Sequence, residues 1–300
     1  MNNDLVILGD SVLWGQGLLD AHKSTTLVAS GLGLQPAMFA HSGAVIGRKA
    51  TCATTTFPGE VPESCPSILQ QIPAYAGDPL SVPVVLLNGG INDVDFRTIV
   101  SPFTDSKDLA SDIQQYCYSD MGFLLEQVKA RFSNSATKIV VTSYYPVLSP
   151  DSQFDLLPAF VEFLGAPIPQ FLDPNIFGSG DLITDKIVAN CIQFWNQSTQ
   201  ALQKAVSDVN IGTGPRCFFA NVPFTVNNSV FAPNAWLFGV GPAPDFGAQD
   251  EVAATRSPQC DIVFKDDLVN REQCYRASAG HPNVTGAQQF AQAILASLGQ

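Results

Sequence analysis

Short runs of near-continuous apolar residues, rich in β-branched side chains, recur at 4–8, 82–88, 138–143 and 217–222, with a weaker one at 37–41. A strand built from such a run has no polar side to turn to water and must be covered on both faces. The stretches between them carry a helical period instead. In 108–132, Leu109, Ile113, Tyr116, Leu124, Val128 and Phe132 fall broadly on one face at three- to four-residue steps. The segment 181–206 does the same through Ile183, Ile187, Cys191, Phe194, Leu202 and Val206, and a closing helix is expected over roughly Thr285 to Leu298. Doubly covered strands alternating with amphipathic helices predict an α/β chain, a three-layer α/β/α sandwich around a mostly parallel sheet of about five strands.

The first apolar run ends at Gly9-Asp10-Ser11. The Gly-Asp pair is turn chemistry, and the serine that follows stands at the C-terminal end of a strand, the edge at which open α/β sheets bind their ligands. Serine is also a favoured helix cap, so taken alone Ser11 reads either as a cap or as a nucleophile.

Three further segments follow in order. Ser42-Gly43 lies within Ala40-His41-Ser42-Gly43-Ala44, Gly90-Ile91-Asn92-Asp93 follows the second strong apolar run, and His281-Pro282-Asn283 precedes the closing helix. Together with Gly9-Asp10-Ser11 they resemble the four blocks of the SGNH (GDSL-type) hydrolases, a family of esterases, lipases and acyltransferases. The resemblance spans residues 5 to about 298 and implies the flavodoxin-like SGNH hydrolase fold. It also implies one domain over 1–300, because segments at the two ends of the chain must meet in one site.

Ester cleavage requires a nucleophile, a base and donors for the developing oxyanion. Ser11 supplies the hydroxyl, and the resemblance makes His281 its base. The other two histidines are weaker candidates: His22 reads as solvent-exposed beside Lys23, while His41 adjoins Gly43 and either lines the pocket or packs against it. Gly43, lacking a side chain, can bring its backbone N–H close to a substrate oxygen, and Asn92 carries an amide that donates at any pH. The Ser11 N–H is the third oxyanion donor that the resemblance implies. Asp10 and Asp93 are expected to orient their loops rather than transfer protons. No metal or organic cofactor is implied.

Composition narrows the partners. A formal net charge of −12 with 15 Lys and Arg, none of them clustered, argues against nucleic acid. No apolar run approaches the roughly 18 residues of a membrane span. A small-molecule or lipid ester is the expected substrate. The seven cysteines show no Cys-x-x-Cys spacing, so a zinc site is not expected. Cys52 with Cys65, and Cys260 with Cys274, bracket short loops and read either as disulfides or as buried thiols. The first strand leaves no room for a leader, which leans toward an intracellular protein and equally fits the mature form of a secreted one. Sequons occur at Asn196, Asn227 and Asn283, the last beside His281. Apolar insertions near 149–180 and 222–247 read either as an acyl-binding wall or as packed extensions of the core.

One position departs from the family pattern. The family usually carries Asp three residues before the catalytic histidine, where this chain has Ser278. Three resolutions are open: a backbone carbonyl near 278 accepts the imidazole N–H, giving a Ser–His dyad; an acid such as Asp261, Asp266, Asp267 or Glu272 takes the place; or the site has lost activity and the chain is a binding protein. An acyltransferase would use the same residues, whereas a flavodoxin-like cofactor binder would need phosphate-cradling glycines that this chain lacks after its first strand, where Gly15 and Gly17 follow Trp14. The dyad is the preferred expectation. It predicts that Ser278→Ala retains most esterase activity in a p-nitrophenyl ester assay, and a loss of about 100-fold, the size of a missing catalytic contact, would refute it.

Overall fold

The computed structural model describes residues 4–48, 57–153, 182–212, 214–239 and 250–300. Five strands are seen among them: β1 (Asp4–Leu8), β2 (Gln35–Met38), β3 (Val84–Leu87), β4 (Lys138–Thr142) and β5 (Cys217–Ala220). They form one sheet in the order β2-β1-β3-β4-β5, and every pairing is parallel. The four strong apolar runs of the sequence are strands β1, β3, β4 and β5, three of them trimmed by a residue or two, whereas the weaker run at 37–41 only overlaps β2, which starts two residues earlier and ends at Met38.

Alternate residues serve opposite faces. Val6, Leu8, Val85, Leu87, Ile139 and Val141 point into the larger core cluster. Helices α3 (Ile68–Ala74), α6 (Ser106–Ile113), α7 (Met121–Arg131) and α8 (Leu182–Val209) pack there through residues such as Ile72, Leu109, Leu124 and Phe194. Between α6 and α7, Gln114–Asp120 is wound as a π-helix, so the predicted helix over 108–132 is continuous but locally widened. Leu5, Ile7, Val84, Leu86 and Val140 point the other way, against α2 (Ser24–Leu32) and the C-terminal α11 (Val284–Ser297) through Val28, Ala29, Ala291 and Ile294. The three layers expected from the sequence are present.

The aromatics of the insertion near 222–247 that are described pack against the core rather than line the cavity. Phe231, Leu237 and Phe238 are buried, and Phe224 stacks on Tyr145 and meets Trp236 and Phe290 edge-on. An acyl-binding wall built from these aromatics is therefore a reading the structure corrects. The bulk of the insertion near 149–180, and residues 240–249, lie outside the described residues.

Two short helices, α9 (Ala253–Val263) and α10 (Leu268–Tyr275), stand before the closing helix and are joined by a Cys260–Cys274 disulfide. Cys65 is also disulfide-bonded, whereas Cys52 lies outside the described residues. No helix among the described residues is long and apolar enough to cross a membrane.

Parallel register fixes the junction after β1. Leu8 pairs with Leu87, which sets Gly9 beside Asn88. Gly9 has φ of +154°, and a Cβ there would sit 1.9 Å from Asn88 Oδ1. Its backbone is clamped by the Gln71 amide, which donates to the Gly9 carbonyl at 3.0 Å and accepts its N–H at 2.8 Å. Gly9→Ala should therefore destabilise the fold by about 1–3 kcal/mol through overpacking. Urea unfolding measures this, and an unchanged midpoint would contradict the packing described.

Candidate active site

Strand order determines what meets at the carboxyl edge of the sheet. The chain leaving β2 carries Gly43, that leaving β1 carries Ser11, that leaving β3 carries Asn92 and that leaving β4 carries Tyr145. The order reverses between β1 and β3, the crevice where open α/β sheets place their ligands. A cavity of about 420 Å³ opens there, and Ser11, Gly43, Asn92 and His281 all line it.

Ser11 is the first residue of the four-residue helix α1 (Ser11–Trp14), and the cap is Asp10, not Ser11. Asp10 Oδ1 accepts the Val12 N–H at 2.9 Å, so the helix terminus is satisfied without the serine hydroxyl. That hydroxyl lies 2.7 Å from His281 Nε2 across 270 residues of sequence. The Asp10 carboxyl is wholly buried and also receives the Asn88 amide at 2.7 Å and the Tyr144 hydroxyl at 2.8 Å. Burial pushes its pKa up, while the Val12, Tyr144 and Asn88 donors pull it down.

His281 sits in the turn before α11. The ring is partly exposed to the cavity, while its Nδ1 is sealed from solvent and makes no hydrogen bond among the described residues. Burial pushes the imidazolium pKa down to about 4. The Ser278, Ala279 and Ala277 carbonyls favour the charged ring, and the Arg256 cation opposes it. The carbonyls near 278, on which the expected dyad relies, thus stand beside the ring and favour its charged form, without a hydrogen bond of good geometry to Nδ1. The alternative acids do not supply the contact either. Asp261, Asp266, Asp267 and Glu272 are all exposed, with Asp261 accepting the Tyr275 hydroxyl and Asp267 capping α10.

The remaining histidines are engaged elsewhere. Both ring nitrogens of His41 face backbone carbonyls, Ser42 at 2.8 Å and Phe57 at 3.3 Å, and burial lowers its pKa. Its place is structural, which removes it as an alternative base. His22 is half-buried and paired with Glu251 at 2.6 Å, where exposure to solvent was expected.

Two backbone N–H groups at the site, those of Ser11 and Gly43, have no acceptor among the described residues. Gly43 adopts φ of +78°, and a Cβ on it would meet the Glu63 backbone nitrogen at 2.7 Å, so no other residue fits. Asn92 spends one amide proton on the Ala44 carbonyl at 3.0 Å and keeps the other. Asp93 accepts the Ile46 N–H with both oxygens, tying the end of β3 to the Gly43 loop. Burial raises its pKa to about 6 against the pull of the Ile46 and Gly47 amides. Val12, Ile91, Phe96, Tyr145, Val147 and Phe264 give the cavity apolar walls, and Glu63, Asn270 and Gln273 add polar groups. Among the described residues no cluster of three or more His, Cys, Asp or Glu could hold a metal ion.

Sequence reasoning missed Gln71, Asn88 and Tyr144, which hold the Gly9-Asp10 turn, and Arg256 beneath the His281 loop. Asn88 had a readable signal, since it stands at the end of an apolar run directly before Gly89-Gly90.

No family model and no curated protein matches the chain. Solved structures do resemble it at low identity. A carbohydrate esterase family 2 enzyme with a carbohydrate binding domain from Corynascus thermopiles (Myceliophthora fergusii) is 15% identical, with 100% of this chain and 68% of that chain covered and a TM-score of 0.47. An extracellular lipase from Streptomyces rimosus is 17% identical, covering 83% and 92%, also at 0.47. A carbohydrate acetylesterase from Sinorhizobium meliloti is 12% identical, covering 92% and 96%, at 0.42.

The ring titration has a measurable consequence. His281 can accept a proton only while neutral, which holds above its pKa of about 4. The His281 ring should titrate near pH 4 by NMR. A titration near 6.5, the ordinary histidine value, would contradict the burial described.

Proposed function

We propose that this chain is a serine hydrolase that cleaves carboxylic esters through an acyl-enzyme on Ser11, with His281 as general base. The observation that carries the reading is the 2.7 Å contact between Ser11 Oγ and His281 Nε2, at the floor of a cavity edged by three unspent N–H donors. The four blocks through which the sequence resembles SGNH hydrolases support the same assignment.

In this mechanism the neutral His281 Nε2 takes the Ser11 proton as Oγ attacks the ester carbonyl carbon. The carbonyl oxygen becomes an oxyanion held by the Ser11 N–H, the Gly43 N–H and the Asn92 amide, donors fixed before the reaction begins. Collapse of the tetrahedral intermediate breaks the bond to the alcohol oxygen, which leaves with the proton from His281. A water molecule, deprotonated by the same nitrogen, then attacks the acyl carbon and restores Ser11. With no carboxylate on Nδ1 among the described residues, the imidazolium formed in each half-reaction is stabilised by the surrounding carbonyls. A base with a pKa of about 4 is weak, and its conjugate acid is correspondingly strong. The site therefore favours esters whose alcohol leaves with help from a strong acid. The apolar walls suit a short or medium acyl chain.

Hydrolysis of p-nitrophenyl esters from C2 to C16 tests this. Ser11→Ala should abolish turnover, and Asn92→Ala should lower kcat by roughly 100- to 1000-fold with the fold intact. Equal turnover in wild type and Ser11→Ala would overturn the assignment. A folded wild type inert on every ester, with or without added alcohol acceptors, would point to a binding protein.

A further inference from the structure

Arg256, on α9, is the largest side chain buried completely in the described structure. A guanidinium in that setting is tolerable only if its nitrogens are matched, and here each of the three has a partner. Nε donates to the Cys274 carbonyl at 2.9 Å and Nη2 to the Tyr275 carbonyl at 2.9 Å. Nη1 meets Glu60 at 3.2 Å, and Nη2 also meets Asp250.

What these partners are attached to gives the arrangement its meaning. The two carbonyls stand at the end of α10, where the chain begins its descent to His281. From there the backbone proceeds by turns: Ala277 N–H to Cys274 O, Ala279 N–H to Arg276 O, and His281 N–H to Ser278 O. The Cys260–Cys274 disulfide grips the same starting residue from one turn further along α9. On the other side, Glu60 accepts the Trp14 indole N–H at 2.9 Å and the Gln16 amide at 2.7 Å. Trp14 ends the helix that Ser11 begins, and the Gln16 N–H bonds the Ser11 carbonyl. One buried cation thus joins the segment bearing the hydroxyl to the segment bearing the imidazole. Among the described residues no side chain holds His281 Nδ1, so apart from its contact with Ser11 the ring takes its position from its backbone.

We infer that Arg256 is a positioning residue that sets His281 against Ser11, doing through the backbone what a carboxylate on Nδ1 would do directly. The inference rests on the reading of Ser11 and His281 as the reacting pair. It assigns Arg256 no contact with substrate.

Arg256→Lys and Arg256→Met, each with the disulfide intact, form the test. Lysine keeps the charge but, as a point cation, cannot span two carbonyls and two carboxylates. It should lower kcat on the order of 100-fold, the effect of roughly an ångström of misplacement, with KM within about twofold. The acid limb of its pH profile should stay where it is in wild type. Methionine removes the cation as well, so kcat should fall at least as far and the acid limb should move upward. Glu60→Gln is the milder variant if either protein fails to fold, and it should lower kcat in the same direction by less. An Arg256→Lys protein with wild-type kcat, or one whose loss lies entirely in KM, would overturn the inference. The ring NMR titration of His281, readable among three histidines, separates this from failure of the hydrolase reading. If Ser11→Ala keeps full turnover but the His281 ring resonance still shifts in Arg256→Lys, where the charge is kept, the hydrolase reading has failed and the positioning contact stands. An unmoved resonance in that variant refutes the positioning itself.

Discussion

A buried carboxyl group with both oxygens engaged holds the site end of this sheet together. Asp10 gathers a helix N-terminus, the Asn88 amide beyond β3 and the Tyr144 hydroxyl beyond β4 around one side chain. Burying such a group without partners would be prohibitive, so the three strand ends can close only in the register that supplies all three donors. That register brings Asn92 to one side of Ser11 and leaves the serine hydroxyl free of capping. The Tyr144 hydroxyl continues the chain by accepting the Ile91 N–H at 3.2 Å, which seats the helix that starts the Asn92 turn.

Most of the frame was legible in the sequence because it follows from local pattern. A continuous apolar run is a doubly covered strand wherever it occurs, and Gly9-Asp10-Ser11 states its own turn. The insertion at 222–239 was ambiguous for a physical reason: an aromatic-rich, proline-broken stretch has no period, and whether it faces a cavity or a core depends on neighbours such as Tyr145 and Phe290 that lie far away in sequence. Arg256 was illegible for the opposite reason. Arginine is almost never fully buried unless paired, and its partners, Glu60 and the carbonyls of 274 and 275, share no spacing that marks them as one unit. The imidazole and hydroxyl could be named from their blocks, whereas the support beneath the imidazole exists only in three dimensions.

Where the SGNH pattern that the four blocks resemble has an aspartate, this chain has Ser278, and a task given there to one side chain is divided here. An acid at that position both orients the imidazole and offsets its charge. Here orientation is supplied by the turns from 274 to 281, anchored on α9. The charge is offset only by carbonyl dipoles, against the opposing field of a nearby guanidinium. Such a base stays neutral across a wide range of pH but takes up a proton reluctantly.

Asn283 shows how closely structure and processing are bound together in this chain. Its side chain caps α11 by accepting the Gly286 N–H at 3.1 Å, while its amide nitrogen donates to the Ala235 carbonyl at 3.1 Å. The side chain that a glycosylating enzyme would modify is therefore the one that starts the helix closing the sheet, and it lies beneath residues 235–237. In a secretory compartment the sequon would be a contest between two clocks. A chain that closes α11 first is beyond the reach of the transferase, whereas one that is modified first has lost the cap and the cover over its last helix.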